Sequence, residues 1–286
     1  MSFILSLAML GQVGAAPALN LPTGLEDRKP RRPAAAAPAL ESPRSRAALE
    51  DCMSAVRSDP PGAVDIAEAW LEKVKGSAAA PAQFCLGSAQ AALDHFAEAE
   101  TAFIAGRDLS AASDYRLRAQ LGAMAGTMAL SQGEAARGLA ALDQAHADAL
   151  AVPDTRLAGD IQVDRSRALV ALKREPEAAT ALTEARTANP KNPEAWLLSA
   201  TLSRRQSQLA EAQGQIETAA QIEPRDPQIG LEAGVIAMLA GREAAARKSW
   251  ESVVTAAPDS DEAATAKGYL AQLESPAPAA APVPAK

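Results

Sequence analysis

Few residues in this chain could carry out chemistry, and their spacing argues against most reactions. There are two histidines, His95 and His146, about 50 positions apart, and two cysteines, Cys52 and Cys85. Four such residues at these spacings cannot supply the ligand pattern of a zinc site. No CxxC redox pair, GxSxG nucleophile turn, HExxH metal motif or glycine-rich phosphate loop occurs. The carboxylate pair Glu98/Glu100 falls in an amphipathic pattern and reads as its polar face rather than an acid–base pair. The chain is therefore expected to be non-catalytic, with no metal and no cofactor. The elements holding these residues in place are more informative.

The composition points to close-packed helices. Of 286 residues, 48% are hydrophobic but only 3% aromatic, and alanine supplies much of the apolar total. Such a core is built from helices in near contact rather than from large rings. The net charge is −7, an acidic balance that argues against nucleic acid as the main partner.

Three segments stand apart from the helical body. Residues 1–18 hold an uncharged apolar run, Phe3 to Val13, followed by Gly14, Ala15, Ala16, Pro17 and Ala18. The run suits a signal-peptide core with cleavage after Ala16 or Ala18, and is short for a membrane span, although no basic residue precedes it. Export is the expected reading, to a bacterial periplasm or the medium, and an unstructured apolar leader is the alternative. No integral membrane segment is expected once the leader is removed. Residues 19–46 form a Pro/Arg/Ala-rich linker in which Pro22, Pro30, Pro33, Pro38 and Pro43 oppose a long helix. The linker carries +3 and the Pro/Ala tail 275–286 carries +1, leaving −11 on the body 47–274. The linker reads first as a solvated spacer, and second as a basic tether (26–46) making weak contact with anionic envelope polymer or lipid. The tail is expected to be disordered.

The body repeats. Pro190, Pro224 and Pro258 are spaced by 34, in phase with Ala178, Ala212 and Ala246, with Leu182, Ile216 and Trp250, and with Ala185, Ala219 and Val253. Small residues recur upstream as Ser166, Ala200 and Gly234. Each unit reads as helix, turn, helix, proline: the small columns permit close approach, the large column fills the space, and proline stops the second helix. Period and column types resemble the tetratricopeptide repeat (TPR) family. The clear units are 159–192, 193–226 and 227–260, within a region 159–260. Degenerate units are expected at 48–79, 80–118 and 119–158, within 47–158, with longer helices or loops. A helix over 261–274, capped by Asp259 or Ser260, is expected to cover the last repeat.

The resemblance implies an all-α fold, a right-handed α-solenoid of stacked helix-turn-helix units, whose first helices line a concave groove that binds a partner protein or peptide. The positions it assigns to that groove are Thr127, Asp164, Arg167, Glu194, Leu197, Thr201, Arg204, Arg205, Leu231 and Val235. Arg167, Arg204 and Arg205 then form either a basic patch able to clamp a carboxylate or a solvated face of local acid–arginine pairs. The carboxylate-gripping subset of the family is not matched, since Phe84, Ser88 and Met124 occupy its positions. Arg165 and Gln162 stand where the family has bulky apolar residues, so that helix is either rotated or pairs Arg165 with Asp160 or Asp164. Cys52 and Cys85 fall on neighbouring first helices, which permits a disulfide; two buried thiols are the alternative. The leading functional reading is a protein-binding scaffold. The alternatives are an envelope attachment or assembly factor working through its tether, and an accessory subunit of an envelope enzyme complex.

Overall fold

The computed structural model describes residues 43–274; the leader 1–18, most of the linker and the tail 275–286 lie outside the described residues. The described residues form thirteen α-helices and no strand. They pair as α1 (Pro43–Ser58) with α2 (Pro60–Leu71), α3 (Ala80–Ala92) with α4 (Phe96–Leu109), and α5 (Tyr115–Ser131) with α6 (Ala135–Leu150). The series continues with α7 (Thr155–Ala171) and α8 (Glu175–Ala188), α9 (Pro193–Arg205) and α10 (Leu209–Ile222), α11 (Pro227–Leu239) and α12 (Glu243–Ala256), and ends at α13 (Asp261–Glu274). Each helix packs mainly on its chain neighbours, so the core is a string of small clusters running the length of the stack.

Local chemistry sets the punctuation. Five first helices end on a left-handed residue: Asp94, Gly133, Lys173, Ser207 and Gly241. In each case the next amide reaches back five residues, as in Glu134 N–H to Ala129 O at 2.9 Å and Gln208 N–H to Ser203 O at 2.8 Å. This is the Schellman closure, which satisfies the terminal carbonyls and reverses the chain into the second helix. First helices are started by side-chain caps: Asp114 accepts from Leu117 N–H, Asn192 from Glu194 and Ala195, and Asp226 from Gln228 and Ile229. Pro190, Pro224 and Pro258 each lie two residues beyond the end of a second helix.

The left-handed residues are 39, 40, 34 and 34 positions apart. The long spacings arise because α5 and α7 have 17 residues where α9 and α11 have 13. Four residues are about one turn, so these helices project roughly 6 Å further and keep the same face inward. The linker is shorter than expected from 19–46, because α1 begins at Pro43. Proline is tolerated in a helix's first turn, where its missing N–H has no intrahelical partner to lose.

Packing follows the small-on-large columns. A Cβ at Gly87 would lie 2.6 Å from the Phe103 ring, one at Gly126 would lie 2.6 Å from Leu142, and one at Gly234 would enter the Trp250 indole. At the end of the stack α13 lays Ala263, Ala266 and Tyr269 on the last pair, with Tyr269 4.9 Å from Trp250 between ring centres. Ser260 Oγ caps α13 by accepting from Ala263 N–H at 3.0 Å, which decides between the two expected caps.

Two glycines separate the packing and backbone effects. Gly234→Ala should cost about 1–3 kcal/mol through overpacking. Gly241→Ala, where a Cβ meets nothing but φ is +72°, should cost about 1 kcal/mol from backbone strain alone. Urea denaturation of both variants checks this, and a larger loss for Gly241→Ala than for Gly234→Ala would contradict it.

Candidate functional site

The face formed by the first helices is much more closed than a peptide groove read from sequence. Leu197 (3% exposed), Thr201 (0%) and Val235 (0%) are core residues, and Thr127 is also buried. They do not line an open groove: Leu197 lies in a cluster with Ala212, Ile216 and Ile229 of α10 and α11, and Val235 in one with Trp250, Val253 and Tyr269 of α12 and α13. Thr201 and Thr127 even direct their hydroxyls to the carbonyls one turn back, Leu197 O at 3.1 Å and Ala123 O at 3.0 Å. Asp164, Glu194, Arg205 and Leu231 retain partial exposure.

The three arginines meet carboxylates of neighbouring helices. Arg167 on α7 bonds Asp164 at 2.6 Å and reaches across to Glu194 on α9. Arg204 on α9 bonds Glu232 on α11 at 2.7 Å, with side-chain exposures of only 8% and 1%. Arg205 turns outward to Glu175 on α8 at 2.9 Å. These are the local acid–arginine pairs of the second expectation, buried at Arg167 and Arg204 and part-exposed at Arg205. Removing one partner of a buried pair strands the other charge, which costs several kcal/mol, so Arg167 and Arg204 hold repeat to repeat. Glu232 was missed in the sequence; it lies 28 residues after Arg204, as Glu194 lies 27 after Arg167, and only register across two units reveals this.

Arg165 corrects another expectation. It bonds neither Asp160 nor Asp164 but Asp143 on α6, at 2.7 Å, and Gln162 Oε1 at 2.6 Å. The side chain thus faces the preceding second helix, while Asp160 is occupied by the amides of Asn189 and Asn192 at 3.0 and 2.8 Å. Glu100 departs from its expected role as well. It is buried and accepts from Gln132 at 2.7 Å and Arg137 at 2.8 Å, whereas Glu98 is exposed. His95 touches Gln90 Oε1 at 2.9 Å. Burial pulls the His146 imidazole below its usual value, Arg165 adding to the effect. Cys52 on α1 and Cys85 on α3 are fully buried with Cα atoms 6.2 Å apart, within the range a disulfide spans.

No protein-family model matches the chain, and no curated protein matches it either. Solved structures do share its architecture. One is PilW, titled a widely conserved type IV pilus biogenesis factor: 17% identical, with 82% of this chain and 100% of that one aligned and a TM-score of 0.65. Another is Pseudomonas aeruginosa pilF, 16% identical over 80% of this chain and 97% of its own, TM-score 0.63. A tetratricopeptide-repeat protein from Parabacteroides merdae is 15% identical over 82% and 88%, TM-score 0.62. At these identities the likeness is one of fold, and the chain folds as an all-α, right-handed TPR solenoid closed by a C-terminal helix.

Burial pushes the Asp164 carboxyl up to about 6; Arg167 opposes this, while Glu194 and Asp160 reinforce it. An acid whose folded value lies above its unfolded value stabilises the fold at low pH. That contribution is full below about pH 4 and is lost as pH rises to about 6. Asp164→Asn should remove a downward step of roughly 1–3 kcal/mol across this window. Melting curves at pH 4, 5, 6 and 7 check it, and parallel pH profiles for variant and parent would refute it.

Proposed function

We propose that the chain is a non-catalytic scaffold that holds a segment of a partner protein along the face of its first helices. The observation that carries this reading is the tying of α7 to α9 and α9 to α11 by Arg167–Glu194 and Arg204–Glu232. A surface fixed in this way is preorganised, so the ordering cost of binding falls mostly on the ligand. The accessible members of the expected groove, Asp164, Glu194, Arg205 and Leu231, are the contact residues of this proposal. The TPR solenoid fold shared with these solved structures supports it at the level of fold.

The decisive experiment is a cross-linking pull-down with chain 19–286 beside an Arg205→Glu/Leu231→Gln variant, which leaves Arg167 and Arg204 in place. A partner captured by the parent and lost by the folded variant supports the reading. Equal capture by both removes this face as the site.

A second reading makes the protein an exported envelope-assembly factor, periplasmic or secreted. Its support is the pilus-biogenesis title of the PilW structure, the apolar leader in the sequence, and the apposed cysteines. No described helix is long and apolar enough to cross a membrane. In this reading the basic segment 26–46 touches anionic polymer or lipid. Binding should then fall steeply with salt and vanish when 19–46 is deleted.

Export also implies that Cys52 and Cys85 are joined, pinning α1 to α3 across a 33-residue separation. Protein isolated without reductant should show no titratable thiol, and reduction should cost about 3–4 kcal/mol of stability. Two free thiols in denatured native protein would contradict both the bond and much of the case for export.

A further inference from the structure

A second site lies on the outer side of the stack, away from the first-helix face. Between the second helices α8 and α10 there is an open slot of about 520 Å³, bordered by Thr183, Arg186, Thr187, Trp196, Glu211 and Gly214 among others. Trp196 is held at its edge by an indole N–H bond to Pro190 O at 2.9 Å. The Arg186 guanidinium lies over the indole at 5.0 Å from the ring centre and donates to Thr183 Oγ1 at 3.2 Å.

Two features of this slot are unexplained by the fold. The first is Arg186. The buried arginines of the stack, Arg167 and Arg204, each bond a carboxylate, but among the described residues no carboxylate lies within 4 Å of the half-buried Arg186. Burial pulls its guanidinium below the ordinary value, with Glu211 opposing only through space. Glu211 itself accepts from Gln215 at 2.8 Å. The second is Gly214. A Cβ there would meet nothing within 4 Å, and φ is not in the left-handed region. Neither packing nor backbone geometry therefore requires a glycine in mid-helix, where it is less favourable than alanine. The same column in the other units carries Thr101, Ala140, Thr180 and Lys248. Gly214 leaves the slot floor open to another chain's backbone.

We propose that this slot is a peptide subsite that takes an extended segment of a partner protein, pairing one aspartate or glutamate with Arg186 and laying an adjacent proline or small apolar residue on Trp196 and Gly214. A guanidinium stacked on an indole is preorganised for such a carboxylate. The body carries −11, so the segment bears that single carboxylate in otherwise uncharged surroundings. The tail 275–286 contains no aspartate or glutamate side chain.

The test titrates the full chain with acetyl-Ala-Pro-Glu-Pro-Ala-amide and with its glutamine and lysine counterparts, following the Trp196 indole N–H by NMR and binding by calorimetry. The glutamate peptide should shift that resonance at millimolar concentration or below. The glutamine peptide, and Arg186→Gln with the glutamate peptide, should each bind about tenfold more weakly. Gly214→Leu should abolish the shift, and Glu211→Gln should tighten binding a few-fold. Gly214→Ala should raise the melting temperature by about 2–4 °C, which shows that the slot residue is not needed for folding. Equal response to the glutamate and glutamine peptides, preference for the lysine peptide, or no response at all overturns the proposal. Partner capture on the first-helix face by Arg186→Gln reports separately on the scaffold reading.

Discussion

A residue with little or no side chain opposite a bulky one recurs at the centre of the helix pairs. Gly87 faces Phe103, Gly126 faces Leu142 and Gly234 faces Trp250, at separations that leave no room for a methyl group. This close approach allows a chain with 3% aromatic residues to exclude water from its interior, because alanines at the flanking positions bury completely when helices nearly touch.

The first-helix face is stitched rather than open. Side chains at the edge between neighbouring first helices are largely removed from water, with Arg167 at 9% and Arg204 at 8% side-chain exposure. An unpaired arginine there would be strongly destabilising. Arg167 and Arg204 are accordingly matched by Glu194 and Glu232 from the next repeat, and Arg107 and Arg118 share Asp148 further up the stack. The outer slot at Trp196 is the contrasting case. There the Arg186 guanidinium lies on the Trp196 indole, and among the described residues no carboxylate comes within 4 Å of it.

Much of the architecture was legible as periodicity. The 34-residue columns, the terminating prolines and the Ser260 cap act through short-range sterics and backbone hydrogen bonds, so they can be read along the chain. The degenerate early units were harder to place, since one extra turn in α5 and α7 shifts the period to 39 and 40 without altering the inward face. Pro43 was misread because proline opposes a helix from within but not from its first turn.

The candidate site was much less legible. Family geometry named Leu197, Thr201 and Val235 as groove positions, yet these are sealed. The cross-helix partners of Arg165, Arg167 and Arg204 lie 22 to 28 residues away. By itself the sequence determined a helical solenoid, its repeat length and its turns, because each depends on residues within a few turns of one another. Only the tertiary structure decided which charges are buried together, which groove positions close, and that Arg186 and Gly214 border a slot. Those outcomes depend on the separation and rotation of whole helices, and no local spacing encodes them.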